Sequence, residues 1–352
     1  MSTSNPLQLF QELAHIFSDR KKQNQVIEFE VLEPAHAQTL GPLIRDGCSV
    51  GISKKALVQV FAVARPLFFD LLMPMTDKDM LADGSIREVA AAAHEKGENN
   101  LKASLEIPKE LLDVPVSVVA DIILLFDCEH ATACNWRKKR LMSFLRDEAK
   151  VVEILETELT LMTTYTCSLL QRHTKSPTLW QHRLWTWIRL TQLQLPDIQE
   201  TLGKELMVVL RAGELHPRNY YAFAYLRRLY TALIGHGKKG SNEPARSMLN
   251  PSLDWSLSHP RDISGWTFTY WLLEQLPDQK VRIVSVERAI QFALNVGWEG
   301  ESLWTFVDLA TRKFGLVETI QTGTLQVPLD QADHSWKMWL SGAKIYWASG
   351  VK

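Results

Sequence analysis

The spacing of the aromatic residues is the feature that most restricts how this chain can fold. The sequence has 352 residues and 12 tryptophans, and no tryptophan precedes Trp136. Five seven-residue segments align with one another without gaps: 128–134, 174–180, 217–223, 260–266 and 298–304. Their last residues are Cys134, Trp180, Phe223, Trp266 and Trp304, at spacings of 46, 43, 43 and 38 residues. Self-similarity at such a period is typical of repeat proteins with stacked units.

The residues around each aromatic position predict a pair of helices. A proline or several polar residues come first, and proline is tolerated in the first turn of a helix. Apolar residues then recur at helical spacing, as in Trp180, Leu184 and Trp187, which places them on one face. A second apolar helix is predicted in the segments Val151–Leu170, Ile198–Ala212 and Val281–Val296. Because such a pair cannot bury its apolar face alone, we expect an all-α fold, a right-handed α/α superhelical solenoid shaped as a crescent.

Flanking segments are expected on both sides of the repeats. Near the N-terminus the pattern predicts a helix over 5–20, a strand over Val26–Leu32, and a helix over Lys54–Leu72 that is interrupted at Pro66. A polar stretch then includes one short helix around Glu88–His94. The predicted organisation is an N-terminal helical segment at 1–73, a polar linker at 74–112, five repeats at 113–311 and a C-terminal cap at 312–352.

Composition argues against several functional classes. Lys and Arg number 39 and Asp and Glu number 40, so no broad charge drives binding to nucleic acid or an anionic membrane. The apolar runs are too short for a transmembrane segment. Four cysteines without C-x-x-C spacing indicate a reducing compartment, and we expect a cytoplasmic protein. Cys128, His130 and Cys134 do not match the spacing of a zinc site, so no metal is expected on this chain. The absence of a complete catalytic motif argues against a stand-alone enzyme.

The motif around the aromatic positions resembles one known repeat. Tetratricopeptide repeats have a shorter period of about 34 residues, and HEAT and armadillo repeats lack the Pro-x-Asn-Tyr-x-x-Trp core. That core, with a basic residue three positions past the Trp, resembles the repeat of protein prenyltransferase α subunits. The best matches are residues 216–223 and 175–185, and the resemblance extends over about 115–310. The Lys-Ser-Pro-x-x-Trp-x-His-Arg-x-Trp form of 175–185 is most similar to the branch of prenyltransferase α-subunit repeat-containing proteins, the α chains of type III geranylgeranyltransferase.

This resemblance implies a helper subunit of a heterodimeric enzyme. The α subunit would support geranylgeranyl transfer from geranylgeranyl diphosphate to a protein cysteine, for example of a Ykt6-type SNARE. The partner would be a β subunit, the one shared with Rab geranylgeranyltransferase if the branch is right. Zinc and the prenyl diphosphate are expected on that partner, and no cofactor is expected on this chain. The sequence does not distinguish a farnesyl donor from a geranylgeranyl donor.

The resemblance also assigns residue roles. Lys175 and Arg218 align with the Lys of the Pro-Lys-Asn-Tyr motif, which in the family faces the β subunit near the diphosphate, and Tyr220 aligns with the motif Tyr. A cation there would stabilise charge on diphosphate. The alternative is that all three are ordinary surface or interface residues. We interpret the other repeat positions as structural: Cys134, Arg137, Trp180, Arg183, Phe223, Trp266 and Trp304.

Two other functions remain open at this point. Cys134, Phe223, Leu226 and Ile263 depart from the motif, which favours a non-catalytic scaffold that kept the repeats and lost any role in prenylation. The other alternative is an adaptor of the tetratricopeptide kind. Such an adaptor would have no reason to retain the form of residues 175–185.

Overall fold

The chain divides into two compact units, residues 1–195 and 196–352. The computed structural model describes residues 5–75, 84–95, 107–144, 148–193, 197–236, 242–327 and 335–349. Much of the predicted linker, namely 76–83 and 96–106, lies outside the described residues. No helix in these ranges combines the length and the apolar character needed to cross a membrane.

Helices dominate both units, which confirms the all-α prediction. In the first unit they are α1 (Pro6–Gln23), α2 (Pro34–Leu40), α3 (Lys54–Pro66), α4 (Ile86–Glu95), α5 (Val116–Phe126), α6 (Ala131–Ser143), α7 (Glu148–Thr166), α8 (Gln171–Thr174) and α9 (Pro177–Leu193). In the second unit they are α10 (Ile198–Leu215), α11 (Tyr220–His236), α12 (Glu243–Ser258), α13 (Ile263–Gln275), α14 (Gln279–Val296), α15 (Glu301–Phe314), α16 (Val317–Ile320) and α17 (Trp336–Ala348). The break expected at Pro66 is observed, because α3 ends there and a π-helical turn, Leu67–Leu72, follows.

The first unit also contains a small sheet that the sequence analysis predicted only in part. The strands are β1 (Glu28–Leu32), β2 (Leu43–Asp46) and β3 (Ser49–Ser53), and β3 lies in the centre. It pairs with β1 in parallel and with β2 antiparallel. A side chain at Gly51 in β3 would displace Leu32, because a Cβ atom there would lie 2.5 Å from Cδ2 of Leu32. Strands of four or five residues carry too little alternation to be recognised without their partners.

The N-terminal segment is packed onto the first repeats. Helix α1 and the sheet contribute Phe10, Phe17 and Phe29 to a core that continues into α5. Helix α4, inside the predicted linker, is attached to the same core, because Ile86 is buried and its N–H donates to the carbonyl of Val114 at 2.9 Å. The first unit therefore buries the segment before the repeats together with its own repeat helices.

The repeats pack most closely across their boundaries. The first helices of the five repeats are α6, α9, α11, α13 and α15, and the second helices are α7, α10, α12 and α14. The closest helix packing in the first unit joins α7 to α9, and in the second unit α12 to α13, so a second helix contacts the first helix of the following repeat. A side-chain contact shows this, because the hydroxyl groups of Ser256 on α12 and Thr269 on α13 lie within hydrogen-bond distance at 3.2 Å. The first helices of these two repeats also touch, since the ring of Phe223 on α11 lies 5.4 Å from that of Phe268 on α13. The stacking of successive repeats therefore supplies the core, as expected from helix pairs that cannot close on themselves.

Three of the repeat tryptophans form equivalent hydrogen bonds. The indole N–H groups of Trp180, Trp266 and Trp304 each donate to the carbonyl six residues earlier, at 2.8, 3.1 and 2.9 Å. Cys134 has no such donor, and the carbonyl of Cys128 accepts from the hydroxyl of Ser176 in the next repeat at 3.1 Å instead. In these three repeats the tryptophan thus joins the loop before the first helix to that helix.

A second position is buried in every repeat, two residues past the aromatic one. Its occupants are Trp136, His182, Tyr225, Phe268 and Phe306. Two of them form hydrogen bonds with a buried glutamate on the preceding second helix: His182 with Glu158 at 2.7 Å, and Tyr225 with Glu205 at 2.5 Å. Helices of successive repeats are therefore joined by polar contacts as well as by apolar packing.

We expect the loss of stability at Trp180 to grow with the part of the buried side chain that is removed. Trp180→Phe keeps one ring but loses the indole N–H and some ring volume, which should cost about 1–3 kcal/mol of unfolding free energy. Trp180→Ala leaves a larger cavity and should cost roughly 3–5 kcal/mol. Urea unfolding followed by circular dichroism measures both. Equal losses for the two variants would contradict this order.

Candidate functional site

The loop before each of the first helices α6, α9, α11 and α13 is shaped by a capping side chain four residues before the aromatic position. Its polar atom accepts a backbone N–H of the first turn, which satisfies a donor that the helix itself leaves unpaired. The capping residues with this bond are His130, Ser176, Asn219 and Asp262. The candidate cations Lys175 and Arg218 each stand immediately before such a cap. The cap therefore fixes the backbone next to Lys175 and Arg218, and with it the place where their side chains begin.

Lys175 and Arg218 align in sequence but differ in backbone conformation. Lys175, in the first unit, has φ −101° and its N–H donates within its own loop to the carbonyl of Gln171 at 3.2 Å. Arg218, in the second unit, has φ 62°, in the left-handed region, and its N–H donates to Oδ2 of Asp262 at 2.6 Å. Lys175 is half-buried, whereas Arg218 is exposed. The two aligned cations are thus presented by different local structures.

Tyr220 is the first residue of α11 and follows Arg218 by two positions. Its side chain is 59% exposed, and its ring centre lies 4.6 Å from that of Tyr221. Asn219 between Arg218 and Tyr220 is fully buried and caps the helix. The buried cap is therefore flanked in the chain by an exposed cation and an exposed aromatic residue.

Arg261 is a residue of the same kind that the sequence analysis did not select. It occupies the position of Arg218 in the fourth repeat, five residues before Trp266, and it is exposed. Its guanidinium carbon lies 5.7 Å from the ring centre of Trp298, a distance suited to a cation–π contact. The gap-free alignment was sufficient to identify Arg261, because residues 260–262 align with residues 217–219 and Arg261 with Arg218. Two successive repeats of the second unit therefore present an arginine at the same loop position.

Arg137 lies in a very different environment, inside a buried charge network of the first unit. Its guanidinium donates to both carboxylate oxygens of Glu158, with Nε to Oε1 at 2.8 Å, and to a carboxylate oxygen of Asp121. A further bond runs to the carbonyl of Ser117 at 3.3 Å. None of the three charged side chains is more than 7% exposed. A bidentate arginine–carboxylate pair of this kind links α5, α6 and α7.

The network extends to two more side chains. The Nε2 atom of His182 bonds with Glu158, and the hydroxyl of Tyr165 donates to the carbonyl of Asp121 at 2.8 Å. Arg20 on α1 is also buried, and its Nε and Nη1 atoms have no hydrogen-bond partner in the described part of the chain. Its charge interacts electrostatically with that of Asp121, so the segment before the repeats contributes a buried cation close to the network.

Burial and pairing shift the pKa values of these groups in different directions. Burial alone would raise the pKa of Glu158, but the Arg137 charge and the hydrogen bonds from Arg137 and His182 hold it well below its usual range. Burial is the larger effect for Asp121 and raises its pKa despite Arg137. Burial also lowers the pKa of His182, although its bond to Glu158 opposes the shift. His182 is therefore a neutral donor to an ionised Glu158.

The remaining repeat residues lie in the interior. Arg183 donates to the carbonyl of Leu159 at 2.9 Å and to the hydroxyl of Thr163 at 2.8 Å.

Burial raises the pKa of Cys134 to about 12 and that of Cys128 to about 11, so both thiols are protonated at neutral pH. Among the residues that the structure describes, no cluster of three or more His, Cys, Asp or Glu side chains is placed to hold a metal ion.

The helix pairs and their capped loops define an α-helical repeat protein, and comparisons with known proteins identify the kind of repeat. The family model described as "Protein prenyltransferase alpha subunit repeat" matches residues 202–233, which lie on α10 and α11. Over 185 residues the chain is 25% identical to "Protein prenyltransferase alpha subunit repeat-containing protein 1" of Danio rerio. That match covers 48% of this chain and only 40% of the relative. The resemblance is confirmed at residues 202–233, which match one prenyltransferase α-subunit repeat.

We expect the stability of the protein to fall as the pH drops below about 6.5, the usual pKa of histidine. Folded His182 stays neutral because its pKa is lowered, whereas in the unfolded chain it takes up a proton. The unfolded state then binds more protons, so acid favours unfolding by up to about 1.4 kcal/mol per pH unit for this residue.

His182→Gln keeps an N–H donor for Glu158 but cannot titrate. Urea midpoints measured between pH 5 and 7.5 should therefore fall less steeply with acid in the variant than in the wild type. Identical pH dependence of the two proteins would contradict this role of His182.

Proposed function

We propose that this chain is the α subunit of a heterodimeric protein prenyltransferase that transfers a geranylgeranyl group from geranylgeranyl diphosphate to a protein cysteine. The observation that carries the proposal is the position of the matched repeat. Residues 202–233 include both Arg218 and Tyr220, which are exposed on either side of the buried cap Asn219. The name of the relative from Danio rerio supports the same family.

In this proposal the chain acts through a partner. A β subunit, the one shared with Rab geranylgeranyltransferase, would hold the zinc ion and the prenyl diphosphate, and a SNARE would supply the cysteine in the cytoplasm. The contribution of this chain would be to hold the partner and to place a cation, Lys175 or Arg218, at the mouth of its active site. Negative charge grows on the diphosphate as it departs, and a fixed cation stabilises that charge most in the transition state.

We expect the chain to form a 1:1 complex with a prenyltransferase β subunit and to self-associate when it is expressed alone. Apolar and aromatic surface that a partner would cover, including Tyr220 and Ile263, is exposed here. Size-exclusion chromatography with light scattering measures both states, and transfer from geranylgeranyl or farnesyl diphosphate to a cysteine-containing SNARE identifies the donor. A stable monomer that binds no β subunit would refute the proposal.

We expect Lys175→Ala to lower the single-turnover rate of the complex about tenfold, which corresponds to about 1.4 kcal/mol of barrier. Arg218→Ala should change the rate in the same direction by a smaller factor. Subunit association should change little in either variant, because the lost charge acts on the departing diphosphate.

Lys55→Ala is a matched control, since Lys55 is exposed on α3, outside the repeats. It should leave the rate unchanged. An unchanged rate for Lys175→Ala in an intact complex would assign Lys175 to the ordinary surface lysines.

A non-catalytic scaffold is the second candidate, and the departures from the motif favour it. The third repeat has Phe223 and Leu226 where the motif has Trp and a basic residue, and the fourth has Ile263 in place of Tyr. These changes preserve the packed helices, since Phe223 and Leu226 are buried. A protein that forms a complex with its partner yet supports no transfer from either prenyl diphosphate would fit the scaffold.

A further inference from the structure

The backbone of Arg218 has a conformation that needs a specific support. Two other non-glycine residues of the described chain have positive φ, Asn24 and Gln326, and each ends a helix as its C-cap. Arg218 instead precedes the cap of a helix that is about to begin, at φ 62°. A long side chain disfavours this left-handed region, so the surrounding structure must hold the residue there.

That support comes from the next repeat. Oδ2 of Asp262 accepts the N–H of Arg218 at 2.6 Å, while Oδ1 of the same carboxylate caps α13 by accepting the N–H of Ser264 at 2.8 Å. Asp262 is buried, and its own N–H donates to the carbonyl of His259 at 2.8 Å. The two oxygens thus have separate partners, one in its own helix and one in the preceding repeat.

The aligned residue Lys175 needs no such support. Its N–H is satisfied by Gln171 within the same loop, and its φ is negative. The left-handed turn is therefore a property of the contact between the third and fourth repeats rather than of the motif itself.

We propose that Asp262 is a positioning residue: it fixes the Arg218 loop so that Arg218 and Tyr220 are both exposed, on either side of the buried cap Asn219. Its consequence for turnover rests on the proposed function, whereas its effect on the loop does not. The fourth repeat would then determine the geometry of a candidate site in the third, although no side-chain atom of Asp262 needs to contact substrate.

The first test uses limited trypsin digestion of the full chain, because trypsin cleaves after an arginine that is locally released. Asp262→Asn retains one oxygen that can cap α13 but replaces the other with an NH₂ group, which cannot accept a hydrogen bond from Arg218. We expect cleavage between Arg218 and Asn219 to rise at least about fivefold relative to cleavage at exposed Arg211, both followed by mass spectrometry.

Asp278→Asn is the matched control. Asp278 caps α14 through Lys280 and Val281 and also accepts a second bond, from Arg246 at 3.1 Å, but it does not contact Arg218. This variant should leave the cleavage ratio unchanged. An unchanged ratio in Asp262→Asn, or a rise shared equally by every cleavage site, would overturn the proposal.

The second test is a double-mutant cycle on single-turnover rate in the complex with the β subunit. Arg218→Gly removes the side chain without strain, because glycine readily adopts positive φ. If Asp262 acts through Arg218, Asp262→Asn should lower the rate severalfold in the wild-type background and have no further effect in Arg218→Gly. Additive effects would overturn the link to turnover. A wild-type complex without transferase activity would refute the proposed function, and the trypsin ratio would still decide whether Asp262 fixes the loop.

Discussion

The Arg137 guanidinium carries its charge in an interior closed to water, and the first unit depends on its being paired. A buried charge is tolerated only where carboxylates and hydrogen bonds replace its hydration, and removal of one partner leaves the other uncompensated. Glu158 and Asp121 supply that replacement from two other helices. Because His182 then bonds to Glu158, the position of α9 is coupled to the same charges. Helices α5, α6, α7 and α9 are therefore mutually fixed by one polar network as well as by apolar contacts.

Arginine has two different roles in these repeats, and the role depends on its position relative to the aromatic residue. Arginines three residues past the aromatic position, Arg137 and Arg183, are buried and bond to neighbouring helices. Arginines five residues before it, Arg218 and Arg261, are exposed at the loop that precedes the first helix. The first pair stabilises the stack of helices. The second pair provides charge that a partner or an anionic group can meet, which is what the proposed function requires.

The capping position lies between the exposed and the buried arginine positions in the sequence, and it connects the packing of the repeats to the conformation of the exposed loops. A short polar side chain there satisfies the first turn of its own helix and can form a second hydrogen bond with a neighbouring repeat. Ser176 uses its hydroxyl to bond with Cys128, and Asp262 uses its second oxygen to bond with Arg218. Geometry at one loop thus depends on the next repeat, so divergence in one unit can alter a site in another without touching it.

The sequence by itself determined the helices, the repeat and the residues at its recurring positions, because these depend on local periodicity, caps and prolines. The bounds of the predicted helices Ile198–Ala212 and Val281–Val296 differ by only a few residues from those of α10 and α14. Helix α3 ends at Pro66, as expected from a residue that has a rigid ring and no backbone N–H. Only the tertiary structure decided the sheet, because β3 is defined by partners on both sides. It also decided the conformation of Arg218, since the atom that holds it belongs to Asp262, 44 residues away. Contacts between distant residues leave no periodic trace in a single sequence, and that is why the alignment located the candidate cations but did not reveal how each is held.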